Sequence, residues 1–206
     1  MSFNLLTVKI NRGYHHGDLR VTLLEAAESL LAERGVEGFS LRETARRAGV
    51  SSGAPKHHFR DVRALLTAIA TLAFDELAER LEVASADRTA DRRTLVHRQG
   101  VAYVRFALEQ RARFDLMWRV PLLDMNDPER RRAGNRAFAA LDHLVRGRDA
   151  PELEQGDPGM APSIACWSMV HGFARLAIDG TFGMDSDAAE RAAGALLPAV
   201  LNHLSV

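Results

Sequence analysis

Apolar residues return at the three- and four-residue spacing of an amphipathic α-helix along almost the whole chain, and the alternation of a half-buried strand is nearly absent. Leu19, Leu23, Ala26, Ala27, Leu30 and Leu31 make the first stripe, which Gly35 ends. Ser40 stands three residues before Glu43, the spacing of a capping box, and opens a short helix through Ala48 that stops at Gly49. A longer helix starts at Asp61, with Leu65, Ile69, Leu72, Ala73 and Leu77 as its stripe. Residues 91–109 follow, carrying Val101, Val104 and Leu108 on one side. Asp127-Pro128 joins a capping aspartate to a proline at the first helical position and launches a helix to about Val145. Residues 162–179 and 185–203 supply two more, and short pieces around 50–59 and 112–119 bring the expectation to an all-α fold of about nine helices. The stretch 146–158, rich in Asp, Glu, Gly and Pro, is the best loop, and 180–184 is a second break. Residues 1–12 show no period and are expected to be a flexible arm.

Composition narrows this picture. A chain of 206 residues with 47% hydrophobic and 26% charged residues can bury a continuous core as one domain or two small ones. The longest apolar runs are a few residues, far short of the roughly 18 a membrane span needs. No basic segment followed by an apolar core opens the chain, so the expectation is a soluble, cytoplasmic protein. A single cysteine, Cys166, excludes an internal disulfide framework and a cysteine-rich zinc site, and it reads as a small buried hydrophobe. The net charge is zero, yet residues 1–60 carry nine Lys/Arg against six Asp/Glu and the remainder carries eighteen against twenty-one. The front of the chain is thus the side suited to a polyanion.

The stretch from Ser40 to Phe59 has the physics of a helix-turn-helix. Leu41, Ala45 and Ala48 form a narrow apolar face, and the small Ala45 lets two helices approach closely. Gly49 supplies a left-handed turn, Val50 plugs the core and Ser51 is expected to cap the next helix. That helix is short and small-residued, so its backbone can sit deep in a major groove, with Arg42, Arg46, Arg47, Lys56 and Arg60 around it. The alternative is an ordinary helical corner with no DNA role. His58 before Phe59 reads as packing at the end of this element, and His15-His16 as an arm near a phosphate or as solvated residues. No metal site and no catalytic constellation is expected: His-Glu-x-x-His and Gly-x-Ser-x-Gly are both missing, and no Gly-rich phosphate loop follows a strand.

The order and spacing of Tyr14-His-His-Gly-Asp-Leu-Arg20, Ala26-Ala27, Gly35, Ser40-Leu-Arg42, Ala45, Ala48-Gly-Val-Ser51 and His58-Phe-Arg-Asp61 with Leu65-Leu66 resembles the TetR family of bacterial transcription regulators. Trp167-Ser-Met-Val-His171-Gly172-Phe-Ala174 is similar to the signature of a subgroup with a Trp…His-Gly motif in the C-terminal domain. The resemblance implies a three-helix DNA-binding domain, a helical ligand-binding and dimerisation domain, and repression relieved by a small molecule. It places Ser40, Arg42, Ser51, Ser52, Gly53, Ala54, Lys56, His57 and His58 at the double-stranded DNA operator. Two positions depart from it. Lys56 stands where the family has a Tyr against the sugar–phosphate backbone, and Val62 where it has a phosphate-supporting Lys. Lys56 can reach a phosphate as a mobile charge, Val62 cannot, and Arg60 and Arg63 are the substitutes within reach.

In the second half, Tyr103, Phe106, Phe114, Met117, Trp118 and Leu122, with Trp167, His171 and Phe173, hold more bulky aromatic and apolar surface than a tight bundle needs. The first five together with Trp167 and His171 are the candidate pocket for an unidentified small hydrophobic effector, the polar groups being His171, Tyr103 and Arg175. The alternative for each is plain core. Ser168, Gly172 and Arg175 fall on one side of one helix, and Leu197, Val200, Leu201 and Leu204 form a seam on the last. Two such helices per protomer would make a four-helix homodimer interface, with Gly172 marking a close approach. The expected organisation is an arm at 1–12, a DNA-binding domain at 13–60 and an effector-binding and dimerisation domain at 61–206. The expectation is a ligand-responsive repressor, not an enzyme, without a cofactor. The rival is a helical protein-interaction adaptor whose first domain has lost DNA binding.

Overall fold

The computed structural model describes residues 16–154, 156–183 and 186–203, and within them every regular element is helical. The arm at 1–12, Tyr14, His15 and Leu204 lie outside the described residues. In chain order the α-helices are α1 His16–Arg34, α2 Leu41–Arg47, α3 Val62–Ala84, α4 Arg92–Glu109, α5 Arg111–Met117, α6 Pro128–Val145, α7 Ala161–Ile178 and α8 Ser186–Leu201. The expected count of nine becomes eight, because the piece after α2 is a single 3-10 turn, Ala54–His57.

Short polar side chains set four of the eight α-helix starts. Asp61 Oδ1 accepts from Ala64 N–H at 2.8 Å, Asp91 Oδ1 from Thr94 at 2.8 Å and Asp127 Oδ1 from Arg130 at 2.9 Å, each removing an orphan donor of the first turn. Ser40 accepts from Glu43 N–H at 3.4 Å, but the Glu43 carboxylate turns to Arg46, so only half of the capping box forms. Gly35 at φ +66 and Gly49 at φ +69 take the left-handed conformation that ends α1 and α2.

Two hydrophobic cores result, and two helices belong to both. The first gathers Leu23, Ala27 and Leu31 of α1, Phe59, and Leu65, Leu66, Ile69 and Ala70 of α3. The second takes over along α3 at Ala73, Phe74, Leu77 and Leu81 and adds the inner faces of α4, α6, α7 and α8. α5 is shared because side chains two residues apart on a helix face opposite sides. Leu116 enters the first core, while Phe114 and Met117 enter the second. A boundary drawn at residue 61 therefore separates the motifs but not the packing.

α6 lies along α3 and is tied to it by ion pairs across the surface. Arg132 holds Asp75 through two bonds of 3.0 and 2.7 Å, and Arg136 holds Glu82 through two of 2.8 and 2.6 Å. α8 crosses α4 at Gly100, where an added Cβ would lie 2.9 Å from Leu201 Cδ1 and 3.4 Å from Leu197 Cδ2. This corrects the expected seam. Leu197 and Leu201 are buried inside the protomer's own core, and Val200 is half-buried. The outward row of α8 is Ala195, Leu196 and Ala199 instead.

Candidate nucleic-acid interface and effector pocket

The helix-turn-helix element is built on a buried wedge. Ala45 and Thr44 of α2 are fully buried, and Val50 packs on the first core with its N–H bonded to the Ala45 carbonyl at 3.0 Å. The chain then turns on backbone bonds: Ala54 N–H donates to the Ser51 carbonyl at 3.0 Å, and Lys56 N–H to the Gly53 carbonyl at 3.1 Å. Ser51 thus serves the turn through its carbonyl, not as the side-chain cap the sequence suggests. Pro55 explains why no full helix forms: it lacks an N–H to donate, and it is buried beneath the turn, while Gly53 just ahead is a poor helix former. Phe59, also buried, closes the element under the Arg20 guanidinium, 5.3 Å from the ring centroid.

Ser51, Ser52, Gly53, Lys56 and His57 form an exposed rim, with Ser40, Ala54 and His58 half-buried behind it. The cations around this rim are not equivalent. Arg46 makes a two-pronged pair with Glu43 at 2.8 and 2.7 Å, and Arg46 is the main reason the Glu43 carboxyl is lowered to about 2. Arg47 lies back on α1, bonded to Glu33 and Ser29. Arg60 pairs with Asp61 at 3.1 Å. Arg63 donates to the carbonyls of Leu123 and Pro121 at 3.1 and 3.3 Å, so it braces the loop after α5 instead of replacing a phosphate contact at Val62. Arg42 and Lys56 are exposed and form no ion pair among the described residues. They are the two cations of the motif left available to a polyanion.

The aromatic set of the second half does assemble. Tyr103 Oη lies 2.9 Å from His171 Nδ1, and the Trp118 ring packs edge-on against His171, Trp167, Phe114 and Phe74 with centroids 4.9 to 6.2 Å apart. Burial pushes the Tyr103 phenol well up, with a hydrogen bond from Trp167 opposing the shift. Burial, aided by the Arg175 charge, lowers His171. Arg175, expected on the dimer seam or in the pocket, is paired with Asp115 of α5 and lies 3.5 Å from Asp179. The Trp118 indole N–H is buried without a partner among the described residues.

These rings fill space more than they enclose it. Phe106, Phe114 and Met117 are fully buried, and the void lies to one side of them. Tyr103 and Trp167 form one wall, and Leu77, Leu81, Gln99 and Val170 are among the others. The void offers about 20 Å³ to the centre of a water-sized molecule, room for one water and too little for a larger ligand in this state. Gln99 escapes sequence reasoning because a glutamine amid Arg98 and His97 reads as solvent-facing. The signal that finds it is the row Val96, Gln99, Gly100, Tyr103, which shares the inner face of α4.

On the outer side, Ser168 and Gly172 of α7 are exposed, and nothing among the described residues comes within 4 Å of a Cβ placed on Gly172. The close approach expected at Gly172 is therefore not made among the described residues. Ile164 and Leu176 of α7 and Leu196 of α8 stand 45 to 49% exposed beside this small-residue stripe. No helix among the described residues is long and apolar enough to cross a membrane.

Residues 23–69 match the family described as bacterial regulatory proteins, tetR family, and residues 96–199 match the tetracyclin repressor-like C-terminal domain. No curated protein is significantly similar in sequence. Among solved structures, a protein of unknown function from Rhodococcus sp. RHA1 is 34% identical, with a TM-score of 0.72 over 92% of this chain and 98% of that one. The TetR family transcriptional regulator PfmR from Thermus thermophilus is 24% identical, with a TM-score of 0.65 over 89% and 99%. The multidrug binding protein EbrR, complexed with imidazole, is 20% identical, with a TM-score of 0.55 over 84% and 92%.

Proposed function

Because the chain belongs to the TetR family of bacterial transcriptional regulators, we propose that it is a homodimeric repressor that leaves its operator when a small apolar effector enters the second core. The observation that carries the DNA-binding part is the pair of exposed cations without an ion-pair partner, Arg42 and Lys56, framing a rigid turn whose Pro55 and Phe59 are locked in place by burial. In this reading Ser51, Ser52, Gly53 and His57 share the interface, and most contacts go to phosphate. The outward residues Ile164, Ser168, Gly172 and Leu176 of α7 and Leu196 of α8 meet their copies, which supports two recognition turns roughly 34 Å apart, one turn of DNA.

Coupling runs through α5. Its Arg113 bonds Glu76 of α3 at 2.6 Å and reaches Glu28 of α1 at 3.4 Å, and its Asp115 holds Arg175 of α7. Any widening of the second core that moves α5 is felt by α1, the helix against which α2 packs. A coupling of about 1–3 kcal/mol by this route changes operator affinity roughly 5- to 150-fold. The test is a fluorescence-anisotropy titration against the DNA upstream of the chain's own coding sequence, at two salt concentrations. Nanomolar, salt-dependent binding is expected. Binding no tighter than to random DNA would instead favour the helical adaptor, a reading that draws on the capture of Arg46 and Arg47 by Glu43 and Glu33.

A further inference from the structure

Gln99 is the one carboxamide in a largely hydrocarbon wall, and it is 2% exposed. Its Nε2, which carries two hydrogens, lies 3.0 Å from the Ala140 carbonyl, 2.9 Å from Ser85 Oγ and 3.2 Å from the Leu81 carbonyl, so one N–H is shared between two of these acceptors. Two of these partners are carbonyls, which only accept, and the Ser85 hydroxyl already spends its proton on the Leu81 carbonyl at 2.9 Å. Turning the amide over would therefore set oxygen against oxygen three times, so the assignment of Oε1 and Nε2 is fixed by chemistry. Oε1 is left on the other side of the amide, buried and with no protein partner among the described residues. A buried acceptor in that condition carries the cost of its lost hydration, and a group that donates to it recovers that cost.

The remaining wall says what else the donor must be. Leu77, Leu81, Val96, Leu141 and Val170 present hydrocarbon. Two lining groups can ionise, and both are held neutral: burial raises the Tyr103 phenol strongly and the Cys166 thiol to about 11. No Lys, Arg, His, Asp or Glu lines the void among the described residues. A carboxylate or an ammonium would be desolvated there with no opposite charge to meet it. We propose that the effector is a neutral, largely hydrocarbon molecule with one hydroxyl donor, an alcohol or a phenol, whose O–H is given to Gln99 Oε1. This rests on the reading of the void as the effector site. The space now open fits only a water-sized molecule, so the occupied state is wider, and the ligand favours it by binding it better than the closed one.

The test uses the full chain and four probes of one shape: para-cresol, its methyl ether, toluene and para-toluate. Trp167 lines the void and Trp118 packs on Trp167, so intrinsic fluorescence reports entry, with calorimetry as the second measure. Para-cresol should bind about 5- to 150-fold more tightly than its methyl ether, the range expected for satisfying a buried acceptor. Para-toluate should be the weakest of the four. In Gln99→Leu the affinities of para-cresol and its ether should converge. Because that variant also removes the amide's contacts that hold α4 to the end of α3 and to α6, the wild-type series stands as a test without it. Equal binding of para-cresol and its ether to the wild type would overturn the inference and leave the effector site in place. Failure of all four to bind would overturn it as well. Neither result touches the DNA titration, which contains no ligand and judges the regulator reading separately.

Discussion

Leu116→Ala separates two descriptions of this molecule: two domains joined at residue 61, or two cores bound into one cooperative unit by α3 and α5. Leu116 is fully buried in the first core although its helix lies far beyond that boundary. Truncating a buried leucine costs about 2–5 kcal/mol, and the value rises when the surroundings cannot collapse into the gap. Here they cannot easily do so. α5 is held from the other side by Phe114 and Met117, and Arg113 fixes it to Glu76 at 2.6 Å. We therefore expect about 3–5 kcal/mol, the upper part of that range. At roughly 2–4 °C per kcal/mol for a chain of this length, that lowers Tm by about 6–20 °C. Both tryptophans pack on the second core, so their fluorescence watches the core that the substitution does not touch. Thermal unfolding followed by tryptophan emission and by far-UV circular dichroism, at one fixed protein concentration, should give a single coincident transition shifted as a whole. A tryptophan transition that stays at the wild-type temperature while helicity is lost earlier would refute the shared-core argument. So would a total shift worth less than about 1 kcal/mol.

Three further outcomes are expected. Lys56→Ala should weaken DNA binding about equally across sequences and lower the slope of log affinity against log salt by about one, and an unchanged slope removes Lys56 from the phosphate contacts. Gly172→Arg, placed on the small-residue stripe of α7, should shift light scattering from the proposed dimer to monomer without changing helix content, since nothing among the described residues approaches that position; a persistent dimer puts the interface elsewhere. Asp142 is buried, accepts from Ser163 at 2.7 Å and is gripped by Arg146 at 2.8 and 2.6 Å, and the Arg146 contact is the main reason its carboxyl titrates below the usual range. Its contribution to stability is therefore complete above the ordinary carboxylate value of about 4 and is lost as pH falls toward the lower folded value. Acid titration of Asp142→Asn should show a shallower loss of stability through that window than the wild type, and parallel curves would contradict the assignment.

Much of this fold is written locally. Asp61, Asp91 and Asp127 announce helix starts, Gly35 and Gly49 announce stops, and the structure honours all five because a cap or a left-handed residue acts within one turn. The errors arise where a distant partner decides. α8 carries apolar residues on two faces, and periodicity cannot say that Leu197 and Leu201 meet Gly100 of α4 while Leu196 looks outward. The recognition segment reads as a helix because a cap at Ser51 is a local signal, whereas the burial of Pro55 depends on how the rest of the domain folds beneath it. The aromatic residues of the candidate pocket are legible as a cluster, but not the fact that they pack on one another and leave the void at their edge. Gln99 is illegible because polarity reads as exposure, and its three acceptors come from segments 14 to 41 residues away.

The crossing of α8 over α4 has a consequence for how the protein responds to its own abundance. One row of α8, Leu197 and Leu201, packs against Gly100, itself a residue of the void wall, and the opposite row, Ala195, Leu196 and Ala199, faces outward, where the proposed dimer would place a second copy. A ligand that widened the void by moving Gly100 outward would press on Leu197 and Leu201, so the helix behind that wall is one of those that would join the subunits. Linkage then makes the two equilibria reciprocal: whatever factor the ligand applies to subunit association, association applies to ligand affinity. Dilution through the dimer dissociation range would thus change the concentration of effector needed for release. Sensitivity to the chemical signal would be set in part by how many copies of the regulator the cell holds.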